Sequence, residues 1–220
     1  MSKKVLVFTP HPDDETLGAG GFLLKKKQEG YQIIWLILTN MKKEFGWTPE
    51  QVDKRNQEID EVSKLYPFDK VYNLELEPTG LDKYSLSELL TPINKIIKTE
   101  EPEIILLPSD NDPHSDHKIA YQVGISVSKK FRNPFIKQIL EMEILSETNF
   151  GVFDSIQPNL FVDISDFFEK KVEILSKFNG EIGEHPFPRS LESIRALAIL
   201  RGSQSNCKYA EAFRVIKSYE

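Results

Sequence analysis

Five short apolar runs punctuate the chain, at residues 4–8, 33–38, 71–74, 103–107 and 138–144, each bounded by polar or turn-forming residues. Runs of this length, rich in Val, Ile and Leu, predict buried β-strands. Between them, and after the fourth, lie longer segments with apolar positions at helical spacing, at about 15–29, 49–65, 85–99 and from 117 to about 131. Local signals support three of these helices: Gly30 stops the first, Pro49 opens the second, and Ser85 with Glu88 makes a capping-box pattern at the third. The alternation predicts right-handed crossovers and an α/β, three-layer, Rossmann-like doubly wound sheet, mostly parallel. Beyond residue 144 the pattern is less regular. Residues 148–162 hold Phe150, Phe153, Pro158 and Phe161 and predict a loop and strand that form the wall of a pocket, with additional C-terminal helices at about 165–178, 190–201 and 210–218. No repeat or linker divides the chain, so residues 1–220 read as a single domain long enough for a substantial core.

Composition narrows what such a domain does. Hydrophobic residues make up 40% and charged residues 28%, ordinary for a globular protein, and no apolar run approaches the roughly 20 residues of a membrane span. The start, Met1-Ser2-Lys3-Lys4 and then four apolar residues, lacks a signal-peptide core. Cytoplasmic action without stable membrane insertion is therefore expected, and the sole cysteine, Cys207, excludes an internal disulfide. A formal net charge of -6 argues against a nucleic-acid partner, which would need clustered cations. Lys25-Lys26-Lys27 and Lys129-Lys130 suit helix ends, where cations meet free carbonyls. Association of identical copies is compatible with this composition and is not specified by it.

The candidate chemistry sits at two strand ends. His11-Pro12-Asp13-Asp14-Glu15 follows the first apolar run, and Asp110-Asn111-Asp112-Pro113-His114-Ser115-Asp116-His117 follows the fourth; three of the four histidines fall in these clusters. A polar turn before a helix explains the aspartates and prolines but not the imidazoles. In doubly wound sheets, ligands bind beyond the carboxyl ends of strands, where the strand order reverses. If the first and fourth strands flank that reversal, the clusters meet, and two imidazoles with one carboxylate make the open three-ligand shell of catalytic zinc. Each cluster offers a pair three residues apart at a helix entry, His11 with Asp14 and His114 with His117.

These motifs resemble the signature of the LmbE/PIG-L family of zinc-dependent deacetylases, which act on N-acetylglucosamine and related N-acetyl sugars. Arg55 with Glu58 is similar to that family's Arg-x-x-Glu, and Arg201-Gly202 followed by Ala210-Glu211-Ala212-Phe213 is similar to its C-terminal segment. The resemblance implies that His11, Asp14 and His117 bind Zn2+ or another divalent metal. It implies that Asp13 is the general base for a metal-activated water that attacks the acetamide carbonyl. It makes His114 the group that stabilises the oxyanion or protonates the leaving amine, with Asp116 holding its ring. Arg55 is the implied substrate contact, against a plain helix-surface ion pair with Glu58 or Glu61. The implied activity is hydrolytic removal of acetyl from an N-acetylated amino sugar or conjugate. Substrate choice is expected in residues 40–48, with Phe45 and Trp47, and 144–190, where the resemblance is weaker.

Several residues carry blander expectations. Glu15 orients a metal ligand or favours the positive helix end, His185 is structural or solvated, and Asp110 and Asp112 cap the helix or order the loop. Gly18, Gly20 and Gly21 weaken the first helix, so their economical role is close approach to the sheet or a ligand. That leaves a second reading from another class, a non-catalytic nucleotide- or sugar-binding module with phosphate on Gly18-Ala19-Gly20-Gly21. A two-metal phosphoesterase is a third, and would need more ligands than the clusters supply.

Overall fold

The computed structural model describes residues 3–151 and 156–220. Seven strands form one sheet: β1 Lys4–Thr9, β2 Gln32–Thr39, β3 Lys70–Leu76, β4 Ile104–Leu107, β5 Gln138–Met142, β6 Leu160–Asp163 and β7 Ala210–Ser218. The helices are α1 Asp14–Gln28, α2 Pro49–Leu65, α3 Leu86–Glu100, α4 Ser115–Val127, α5 Phe168–Leu175 and α6 Leu191–Ser205. Strand order is β3-β2-β1-β4-β5-β7-β6; the first five are parallel, and β7 runs antiparallel to both β5 and β6. The chain winds outward from β1 to β3, then returns to place β4 on the other side of β1. That reversal is the switch point.

Period-2 geometry sorts the strand residues between two layers. Val5 and Val7, Ile33, Trp35 and Ile37, and Leu106 pack beneath α1, α2, α5 and α6. Leu6 and Phe8, Ile34, Leu36 and Leu38, and Ile105 and Leu107 pack beneath α3 and α4. Coverage on both faces explains why the central strands read as unbroken apolar runs rather than alternating ones. The capping box at Ser85 and Glu88 forms, and a second at Thr48 and Gln51 opens α2.

One predicted element is of the wrong type. Residues 210–218 are a strand, β7, and not a third C-terminal helix. Ala and Glu suggest helix, but propensity is weak against ladder pairing with β6 over Ala210–Phe213 and with β5 from Phe213 to Ser218. Helix α4 also begins at Ser115, ahead of His117, and ends at Val127.

The glycines of α1 sit at packing contacts. A Cβ on Gly18 would lie 2.9 Å from Met142 Cβ, one on Gly20 2.6 Å from the Tyr66 hydroxyl, and one on Gly21 2.6 Å from Ile164 Cγ2. They let α1 press against β5 and its neighbours, and they form no phosphate cradle. The helix also breaks at Ala19 (φ -147°, ψ 15°). A buried ion pair takes the freed backbone groups: Glu211 accepts from the N–H groups of Gly21 and Phe22 at 2.8 and 2.7 Å, and Lys171 donates to the Leu17 carbonyl at 3.0 Å and to Glu211 at 2.7 Å.

Candidate active site

The loop after β1 is fastened at nearly every backbone group. The Pro10 carbonyl accepts from the Thr39 N–H and hydroxyl, at 3.0 and 2.8 Å. The His11 N–H donates to Asp14 Oδ2 at 3.0 Å, the Asp13 N–H donates to Glu15 Oε2 at 2.9 Å, and Arg55 Nη1 donates to the Pro12 carbonyl at 3.1 Å. Held this way, Asp13 adopts φ 126° and ψ -31°, a conformation that L side chains avoid. Strain at a residue flanked by candidate ligands is the form in which folds store functional geometry. Glu15, fully buried, is therefore the clamp on the Asp13 backbone, and burial pushes its carboxyl up to about 7.

The first and second clusters meet across the switch point. His11 Nδ1 lies 3.4 Å from Asp14 Oδ2, and His117 Nε2 lies 3.5 Å from the same oxygen. Tetrahedral ligands at about 2.0–2.1 Å from zinc stand about 3.3–3.4 Å apart, so each nitrogen stands from that oxygen at about the separation a metal shell requires, and the three groups' ligand atoms all lie within 4.8 Å of one another. The opposite nitrogen of each ring faces its own carboxylate: His11 Nε2 meets Asp116 Oδ2 at 3.2 Å, and His117 Nδ1 meets Asp112 Oδ2 at 2.6 Å. Carboxylates behind ligand imidazoles fix the tautomer and raise basicity. The donor set thus fits a divalent cation. An overlapping set, His11, His114 and Asp116, shares His11, so among the described residues the candidate ligands make one centre.

Electrostatics agree with a cation site. Burial acts to lower the His11 pKa, but Asp116 and Asp14 outweigh it and push it up to about 10. Burial acts to raise Asp14, yet His117 and His11 hold it at about 2. Burial, and then the Asp14 and Glu181 carboxylates, push Asp13 well above the usual carboxylate range against the pull of Arg189 and His11. His114 goes the other way, down to about 4, through burial and the neighbouring His11 and His117. Its Nδ1 accepts the Asp116 N–H at 3.2 Å. The ring is then neutral with its proton on Nε2, which makes it a donor.

Two expectations change. The Asp116 carboxylate backs His11 and accepts from the Thr79 and Leu81 N–H groups at 2.7 and 3.1 Å; only its backbone N–H touches His114. Asp112 does not cap α4 but stands behind His117. Asp110 is exposed, as is His185, and neither lines the cavity beside the cluster. Arg55 is buried, and its nitrogens face Pro12, Glu58 at 3.3 Å and Glu181 at 2.5 Å, with no pairing to Glu61.

Above the cluster lies a cavity of about 230 Å³. Asp13, Asp14, His114 and His117 line it together with Met41, Trp47, Thr79, Arg55, Glu147, Glu181 and Arg189. Trp47 contributes as expected from residues 40–48, whereas Phe45, Phe150 and Phe161 do not line it and Phe153 lies outside the described residues. Arg189, Glu181 and Glu147 had no spacing signal, because each reaches the site from a loop distant in sequence. The Pro186-Phe187-Pro188 run before Arg189 was the one local sign of a constrained segment there.

Residues 6–128, more than half of the chain and inclusive of both clusters, match the family described as PIG-L, GlcNAc-PI de-N-acetylase. The chain belongs to the PIG-L family. Diacetylchitobiose deacetylase of Thermococcus kodakarensis is 29% identical over 226 aligned positions, covering 97% of this chain and 83% of that protein. The N,N'-diacetylchitobiose deacetylase from Pyrococcus horikoshii superposes with a TM-score of 0.78 at 24% identity, over 98% of this chain and 84% of the other. GalB, the 4-carboxy-2-hydroxymuconate hydratase from Pseudomonas putida, superposes with a TM-score of 0.77 at 16% identity, over 99% and 98%. A hydratase on the same fold means that the fold alone does not fix the chemistry; the residues of the site must. No helix among the described residues is long and apolar enough to cross a membrane.

Proposed function

We propose that this PIG-L family member is a zinc-dependent N-deacetylase that hydrolyses the acetamide of an N-acetylated amino sugar or sugar conjugate. The observation that carries the proposal is the convergence of His11 and His117 on Asp14 Oδ2, at 3.4 and 3.5 Å, with a carboxylate behind each ring and Asp13 alongside. The family match and the two diacetylchitobiose deacetylases support the substrate class. His11, Asp14 and His117 would hold the metal, which supplies Lewis acidity to the carbonyl and acidity to water.

The chain's own groups divide the remaining work. The Asp13 carboxylate, whose affinity for a proton is raised by burial and by Asp14, takes the proton of the attacking water as the amide carbon becomes tetrahedral. His114 donates from Nε2 to the carbonyl oxygen as that oxygen gains charge; a neutral ring suits this role better than proton delivery to the amine. The proton held by Asp13 is then the one available to the departing nitrogen. Arg55 remains a proposed sugar contact, through the hydrogens left over after Pro12, Glu58 and Glu181.

Charge supports an uncharged sugar in the cavity. Both arginines that line it are already paired, Arg55 with Glu58 and Glu181, Arg189 with Asp13 and Glu181. Trp47, which lines the cavity, supplies aromatic surface for a pyranose. Cytoplasmic action is part of the proposal and rests on the lone free thiol of Cys207.

The test is metal analysis together with acetate and amine release from N-acetylglucosamine and its conjugates. One divalent ion per chain, activity abolished by chelation, and loss of turnover in Asp13→Ala are expected. Absence of bound metal, or full turnover without Asp13, would overturn the mechanism.

A further inference from the structure

Asp13 is gripped from both sides by a ring of charges that closes through tertiary contacts. Arg189 Nη1 donates to Asp13 Oδ2 at 2.9 Å and lies 3.3 Å from Glu181 Oε2. Glu181 Oε1 pairs with Arg55 Nη2 at 2.5 Å, and Arg55 Nη1 returns to the Pro12 carbonyl at 3.1 Å, one residue before Asp13. Among the described residues, the hydrogen bond from Arg189 is the sole one to the Asp13 carboxylate, and it engages Oδ2 only. From these contacts we infer that Arg189 is a positioning residue for the reaction: it pins Asp13 Oδ2 so that Oδ1 is the oxygen presented to the attacking water. The inference rests on the role of Asp13 as general base.

Three features favour positioning over a plain tether for the 179–190 segment. Ser190, next in sequence, is buried and caps α6 by accepting the Ser193 N–H, so the base of the Arg189 side chain is fixed. The Arg189 Nε is buried without a partner, so the side chain is not placed to satisfy its own donors but to bring Nη1 to Asp13. Asp13 needs such a partner, because Asp14 and Glu181 stand beside it and like charges would otherwise turn its carboxylate away from them. A carboxylate on a strained backbone, with one oxygen held, has a single orientation toward the cavity.

The experiment compares Arg189→Ala, Arg189→Lys, Asp13→Asn and the double variant Asp13→Asn with Arg189→Ala. Each is loaded with zinc, checked for metal content and melting temperature, and assayed for kcat and KM on the best substrate found. For Arg189→Ala, kcat should fall about 100-fold, as for a reacting group misplaced by about 1 Å, with KM and metal content unchanged. Added methylguanidine should restore part of that loss. Arg189→Lys, which keeps the cation and the fold but loses the fork, should fall between the two. The double variant should be no slower than Asp13→Asn alone, because the effect of Arg189 passes through Asp13. Wild-type kcat in Arg189→Ala, a change confined to KM, or additive losses in the double variant would overturn the proposal while leaving the Asp13 reading intact. Full activity in Asp13→Asn would overturn that reading, and the proposal with it.

Discussion

The backbone of Asp13 permits a test that separates strain from chemistry. At φ 126° and ψ -31° it lies outside even the left-handed helical region, so its strain belongs at the upper end of the usual range, about 3 kcal/mol. Asp13→Ala and Asp13→Gly both delete the carboxylate and its contact with Arg189, and both should be inactive. They differ in the backbone: alanine keeps the strain and glycine removes it. Against that gain, glycine adds unfolded-state entropy, roughly 0.7 kcal/mol, and forgoes one buried methyl, roughly 0.8 kcal/mol. The glycine variant should therefore be more stable than the alanine variant by about 1.5 kcal/mol, or roughly 3–6 °C in melting temperature for a domain of this size. Thermal or urea unfolding of the two chelator-treated variants measures this directly. A glycine variant that melts at or below the alanine variant would show that the fold holds Asp13 without strain, and would remove the backbone from the explanation of the site.

Two further outcomes follow from the groups around it. Replacing Asp112 by Asn keeps an acceptor at His117 Nδ1 but removes the charge behind the ring, so zinc affinity should fall about 10-fold to 100-fold; competition with a chromogenic chelator reads this, and unchanged affinity would count against the carboxylate–histidine–metal arrangement. Glu15 gives the stability a pH slope: its folded value of about 7 exceeds the ordinary 4.5, so the folded state binds the extra proton between those values. Its contribution is complete below about pH 4.5 and is lost as pH rises toward 7, a difference of about 3 kcal/mol. Glu15→Gln should flatten that slope, gaining on the wild type at pH 8 relative to pH 4.5; an equal difference at both pH values would refute the assignment.

Much of the candidate site is legible because its residues are local. His11 and Asp14, and His114 and His117, sit three residues apart immediately past two apolar strands, and the strand order brings those two ends together. The partners behind the candidate ligands are less legible. Asp112 stands five residues before His117, a spacing that a capping aspartate shares, and Asp116 lies next to one histidine yet serves another across the switch point. Segment 210–218 hides its strand for a related reason. Its inward-facing Glu211, paired with Lys171 and two N–H groups of broken α1, disguises a buried strand as a polar helix face.

The sequence by itself determined the sheet-and-helix alternation, the capping box at Ser85 and Glu88 and the two clusters at strand ends, because burial on both sheet faces and capping chemistry are written in short stretches. Only the tertiary structure decided the ring Pro12–Arg55–Glu181–Arg189–Asp13 and the strained backbone it holds. Those contacts join residues up to 176 positions apart, and nothing in local spacing records a hydrogen bond that exists only after the chain has closed on itself.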